Sequence, residues 1–195
     1  ENLGTRQVWL AASTHQGEEE LAAEALRIAR GAAHRLILII APRHPERGPE
    51  IAKTLRDSGW RVECRSDGDE PHSETDIYIA DTLGEMGLWY RLADCVYLGG
   101  GHAPGVGGHN PLEALQLGKP VLSGPGVFNF RDLSERLLPL QGFSIVHGAE
   151  ELAAAYPALP VSVEMTEMLK TDALGPMSAT LEALAPILVK AGLHP

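Results

Sequence analysis

Short apolar runs alternate with amphipathic stretches along this chain. Runs at 8–12 (VWLAA), 36–41 (LILIIA), 61–64, 77–80, 95–98, 120–122 and 143–146 read as strands. Several are nearly unbroken Val/Ile/Leu, the pattern of strands buried on both faces of a parallel sheet. Between them, 18–30 carries a helical period: Leu21, Ala22, Ala25, Ile28 and Ala29 share one face, and Glu20, Glu24 and Arg27 another. Its acidic first turn and its Arg27 and Arg30 suit the helix dipole. Stretches 49–58, 83–92, 111–117, 132–138 and 180–191 also read as helices, with Gly59, Gly118 and Gly192 where C-terminal caps belong. The alternation predicts an α/β fold: a Rossmann-like, doubly wound, mostly parallel sheet with helices on both faces and right-handed crossovers. One domain is expected over 1–195, with 148–195 supplying peripheral helices and a C-terminal helix.

Length and composition narrow the class. A chain of 195 residues, 44% apolar and 22% charged, can bury a core without staples. No apolar run approaches the roughly 18 residues that span a bilayer, and no signal peptide is evident. Cys64 and Cys95 sit in strand-like runs and read as buried apolar residues of a reducing compartment. The opening Glu1-Asn2-Leu3-Gly4, without an initiator Met, reads as a cut inside a longer protein. A formal charge of −10 argues against a nucleic-acid surface. Glu18–Glu20 read as a helix start, and 63–76 as a solvated acidic loop. A domain this acidic must bind an anion through local N–H groups and a few placed cations.

In such a sheet ligands lie outside the carboxyl ends of the strands, and four loops there carry unusual residues. After the first strand, Ser13 or Thr14 can cap the next helix, Gly17 permits close backbone approach, and His15 offers a polar contact on the cleft rim. After the second, Pro42 ends the strand and Pro45 opens the next helix. Arg43 then stands stiffly at the strand end, where its guanidinium can fork onto phosphate oxygens, while Arg47 is expected to pair with Glu50. After the fourth, Thr82 and Glu85 form either a capping box or, through the N–H groups of Gly84 and Glu85, a helix start facing an anion. After the fifth, Gly99–Gly101 turn the chain off its strand. Gly107 and Gly108 give a second flexible approach, Asn110 caps the following helix with Pro111 in its first turn, and Glu113 suits a vicinal diol such as a ribose.

This loop is not G-x-G-x-x-G, so no nicotinamide site is read. His102 and His109, with neither Cys nor H-E-x-x-H nearby, do not read as zinc ligands. No G-x-S-x-G elbow supports a serine hydrolase.

The strings STHQGEE, PRHPER, DTLGE, YLGGG, GGHNPLEALQLGKPVLSGP and FNF, in this order over most of 8–147, resemble the bacterial 3-deoxy-D-manno-octulosonic acid (Kdo) transferases of lipid A assembly. The resemblance implies a GT-B glycosyltransferase of two Rossmann-like halves. The N-terminal half carries the lipid acceptor site, the membrane-docking surface and the general base; the C-terminal half binds CMP-Kdo. This chain resembles the C-terminal half alone, hence a catalytically incomplete piece, soluble by itself. The whole enzyme would work at the cytoplasmic face of the bacterial inner membrane, inverting and without metal or cofactor.

By the same resemblance Arg43 contacts the CMP, and Leu83, Gly84 and Glu85 meet the phosphate or sugar carboxylate. Gly107, Gly108 and Asn110 line the phosphate side, Glu113 holds the ribose, and Ser13, His15, Gly17, His44, His109 and Asn129 form the cleft rim. No catalytic residue is expected in this half. Gln16 stands where the family usually has Glu, Leu83 where it has Met, and Gly101 where it has Ser. Two other readings stay open: a donor domain for a UDP-linked sugar, and a stand-alone, non-catalytic nucleotide-sugar binding module.

Overall fold

The computed structural model describes residues 4, 6–30, 36–156 and 160–171. Seven strands form one sheet: β1 (Gln7–Thr14), β2 (Leu36–Pro42), β3 (Val62–Cys64), β4 (Ile77–Ile79), β5 (Cys95–Leu98), β6 (Val121–Ser123) and β7 (Phe143–Ile145). Their order is β3-β4-β2-β1-β5-β6-β7, and every pair is parallel. The helices are α1 (Glu18–Arg30), α2 (Gly48–Asp57), α3 (Met86–Leu92), α4 (Leu112–Gln116), α5 (Arg131–Leu137), α6 (Ala149–Ala154) and α7 over 163–171.

Strand alternation splits the core in two. Trp9 and Ala11 of β1 face α1, α2 and α6, where Ala22, Leu26, Ile51, Leu55 and Leu152 are buried. Val8, Leu10 and Ala12 face α3, α4, α5 and α7, where Trp89, Leu115, Leu137, Met165 and Leu169 are buried. Helices therefore cover both faces, which is why the strands read as continuous apolar runs. The direction of winding reverses at β1, which pairs with β2 on one side and β5 on the other. The crevice that this switch opens lies at the carboxyl ends of those strands.

Several local expectations are corrected. In α1 the buried face is Ala22, Ala23, Ala25, Leu26 and Ala29, whereas Ile28 is exposed and Leu21 only half-buried. The α3 helix begins at Met86, three residues later than the pattern suggested, because 82–85 are held as a separate turn. β1 runs on through Thr14, so neither Ser13 nor Thr14 caps α1; Thr14 Oγ1 instead donates to Glu19 at 2.9 Å. The stretch 63–76 is not wholly solvated: Glu63 lies in β3, and Asp76 is buried under Arg61 and Arg30. Cys64 and Cys95 are buried thiols. The helix expected at 180–191 and the cap at Gly192 lie outside the described residues. Among the described residues no helix is long and apolar enough to cross a membrane.

Candidate functional site

The loops after β1, β2 and β4 meet at the carboxyl edge of the sheet. Ser13 leaves the β1 ladder at φ +54°, beside the register shift between Ala12 and Thr14. A left-handed turn at a non-glycine residue is strained. Thr14 O then accepts the Arg43 N–H at 3.0 Å, tying the two strand ends together. Ser13, Arg43, Thr82, Leu83 and Gly84 line a cavity of about 130 Å³, floored by Trp89. The Arg43 side chain is exposed and makes no hydrogen bond or ion pair with any described residue. Arg47, four residues further on, is different: it pairs with Glu19 at 2.7 Å rather than with Glu50, because Glu19 is buried and Glu50 is not. A larger groove of about 620 Å³ lies beside Pro120 and Gly142, which precede β6 and β7, and so at the opposite end of the sheet.

The glycine-rich loop after β5 is held by a residue that the sequence pattern had treated as a helix-start acid. Glu18 is 1% exposed. Its carboxylate accepts the N–H groups of His15 at 3.0 Å, Gly100 at 2.7 Å, His102 at 2.9 Å and Ala103 at 3.3 Å, and the Tyr97 hydroxyl at 3.3 Å. Burial together with Glu18 pushes the Tyr97 phenol far above its ordinary range. A carboxylate already buried can stay charged only if several donors meet it, and this loop supplies them. The signal in the sequence was an acid in the first turn of a helix, directly after a strand end, opposite a run of donors without side chains.

Other predicted residues fall into two groups. Gly107 and Gly108, both at positive φ, are buried and turned toward protein rather than toward the cleft: the Phe128 ring lies over Gly107, and Gly107 O accepts the Asn129 N–H at 3.1 Å. Asn129 Nδ2 donates to Val106 O at 2.7 Å, so it too fastens the loop. Gly17 has φ +91° and open space around its missing Cβ, so its conformation, not a close approach, requires glycine. The Glu85 carboxylate is engaged by Arg65 at 2.9 Å and by Thr82, and the Arg65 side chain chiefly holds its pKa below the usual range.

The second group remains open to a ligand. Leu83 is 85% exposed and Gly84 lies beside it on the cavity wall. Asn110 is exposed and its Oδ1 accepts the Leu112 N–H at 3.0 Å, although Pro111, not Asn110 as expected, stands at the N-cap of α4. Glu113 is exposed on the first turn of α4 and has no partner among the described residues. Near it the Tyr90 phenol is pushed up to about 12, mainly by burial and then by Glu113. His15 and His109 meet at 2.8 Å between their Nε2 atoms, and His44 stands edge-on to His15 with ring centroids 6.2 Å apart. Among the described residues no group of three or more His, Cys, Asp or Glu is placed to hold a metal ion.

A seven-stranded parallel sheet, wound both ways from β1 and carrying a glycine-rich loop after β5 at its switch point, is the Rossmann-like half of a GT-B glycosyltransferase fold. No protein-family model matches the sequence. The chain is 36% identical over 165 residues to the 3-deoxy-D-manno-octulosonic acid transferase of Haemophilus influenzae, covering 84% of this chain and 38% of that protein. It is 41% identical over 131 residues to the same-named protein of Bordetella pertussis, covering 65% and 30%. The crystal structure of the C-terminal CMP-Kdo binding domain of WaaA from Acinetobacter baumannii superposes with a TM-score of 0.73 at 32% identity, covering 86% of this chain and 88% of that one. The chain belongs to the 3-deoxy-D-manno-octulosonic acid transferase family. It spans well under half the length of the curated relatives it matches.

Proposed function

We propose that this chain is the donor-binding half of a Kdo transferase and holds CMP-Kdo at the switch point between β1, β2 and β5. The observation that carries the reading is Arg43: an exposed guanidinium with no partner among the described residues, on the rim of a cavity built from three strand ends. Placed there, its fork meets phosphate oxygens, and the unengaged wall at Leu83 and Gly84 receives the sugar end. Glu113 takes the ribose hydroxyls and Asn110 the phosphate side. Gly107, Gly108, Glu85 and Asn129 serve the site indirectly, by shaping its loops.

The whole enzyme would move Kdo from CMP-Kdo to a lipid A precursor, with inversion, at the cytoplasmic face of the inner membrane. This half would stabilise charge growing on the departing CMP phosphate. The general base and the acceptor site belong to the other half, so the domain alone would bind CMP weakly and transfer nothing. Calorimetric titration of the domain with CMP and with UDP tests the reading. CMP is expected to bind more tightly; a clear preference for UDP would overturn it.

A further inference from the structure

The His15–His109 pair is unused in the reading above. Its ring centroids are 5.1 Å apart and the planes 13° from parallel, while the Nε2 atoms are 2.8 Å apart. The difference between those two distances is about two ring radii, so the rings meet corner to corner in a common plane and do not stack. That is an in-plane hydrogen bond, and it fixes the protons. In the neutral pair one Nε2–H donates to the other Nε2, and the accepting ring carries its proton on Nδ1. The pair then shows one Nδ1–H and one bare Nδ1. A single added proton gives both rings an Nδ1–H and the pair a charge of +1. A second would place two Nε2–H groups head to head. Neither Nδ1 has a hydrogen-bond partner among the described residues.

Burial and the neighbouring cations oppose that first proton. Burial holds both imidazoles below the ordinary histidine range; for His109, His15 and Arg43 add to it. The groups that act on the pair are Glu18 and Glu19 of α1, His44 and Arg47 of the turn after β2, and Arg43 at the end of β2. Glu18 raises the pKa of both imidazoles and Glu19 that of His15, but the two carboxylates also accept from loop N–H groups and from Arg47, and burial outweighs them. Of the arginines that act on the pair, Arg47 is engaged by Glu19, whereas Arg43 has no hydrogen-bond or ion-pair partner among the described residues. A phosphate on Arg43 cancels the repulsion and adds attraction of its own, so the two events favour each other.

We propose that His15 and His109 form a proton-loaded phosphate receptor: as the donor's phosphate settles on Arg43, the pair takes one proton from solvent onto its bare Nδ1, keeps the existing proton between the Nε2 atoms, and offers Nδ1–H to the anion. This rests on the donor reading above and adds to it a coupling of nucleotide binding to pH.

Calorimetry of CMP and cytidine binding, in buffers of different ionisation heat, tests it with the wild-type domain. The CMP phosphate has its own second pKa near about 6, so pH values of about 7 to 8 keep the ligand dianionic. CMP is expected to draw in roughly half a proton or more at about pH 7, with affinity falling about twofold or more by about pH 8. Cytidine should draw in none. In His15→Gln and His109→Gln the CMP-linked uptake should vanish. CMP binding without proton uptake in the wild type, or uptake that persists in both variants, overturns the receptor and leaves the donor reading standing. Failure to bind CMP at all overturns both.

Discussion

The Glu18 carboxylate accepts the Gly100 N–H at 2.7 Å across 82 residues of sequence. With the N–H groups of His15, His102 and Ala103 on the same carboxylate, it pins the glycine loop to the start of α1. Glu18→Ala leaves those donors buried and unpaired, and should cost about 3 kcal/mol or more in denaturant unfolding. Glu18→Gln keeps one acceptor oxygen and should cost less. Hydrogen exchange at Gly100 and His102 should quicken in both variants; unchanged protection would show that the loop is held by something else.

Gly107 tests the packing of the same loop from the other side. A Cβ there would fall within the Phe128 ring, at a backbone φ of +83°. Gly107→Ala should destabilise by about 2–3 kcal/mol, combining left-handed strain with overpacking. In a Phe128→Ala background only the strain remains, so the cost should drop to about 1–2 kcal/mol. Equal costs in the two backgrounds would remove Phe128 from the account.

At the cleft, Glu113→Ala should weaken CMP binding by about 1–3 kcal/mol without lowering the unfolding midpoint, since the side chain is exposed and has no partner among the described residues. Arg43→Lys should weaken it by about 1 kcal/mol through loss of the planar fork. Isothermal titration beside a thermal melt separates these losses from misfolding; unchanged CMP affinity would take Glu113 out of the ribose role.

Asp76 governs the acid limb of stability at the far end of the sheet. Burial by itself would raise its carboxyl, but hydrogen bonds from the Arg61 side chain and N–H, and from Arg30, outweigh it and hold the pKa at about 2. The folded value lies below the unfolded one, so Asp76 stabilises the fold above about pH 4, and that contribution fades as pH falls toward about 2. Asp76→Asn should therefore lower stability near neutrality by about 2 kcal/mol and flatten its fall between about pH 4 and 2. A midpoint that still falls as steeply in the variant would show that other carboxylates set the acid limb.

The sequence alone placed all seven strands, because a strand buried on both faces must be apolar throughout, and LILIIA or CVYL can be little else. It also placed α1 and the turn glycines Gly59 and Gly118, and it marked the loops after β1, β2, β4 and β5 as the ones to inspect. Arg43, Leu83, Gly84 and Glu113 stand open at that edge as their positions suggested. What local pattern could not reveal was partnership. Glu18, Glu19 and Asp81 look like solvent residues on a polar chain, yet each is buried, Asp81 accepting the Ser66 N–H at 2.9 Å and its hydroxyl at 2.6 Å. Nor could it foresee that Gly107 turns in beneath Phe128 and Gly108 against Gly126 and Val127, or that His15 meets His109 across 94 residues. Hydrophobic period records which side of an element leaves water. Which donor meets a buried charge depends on the order in which strands are laid side by side, and only the folded sheet sets that order.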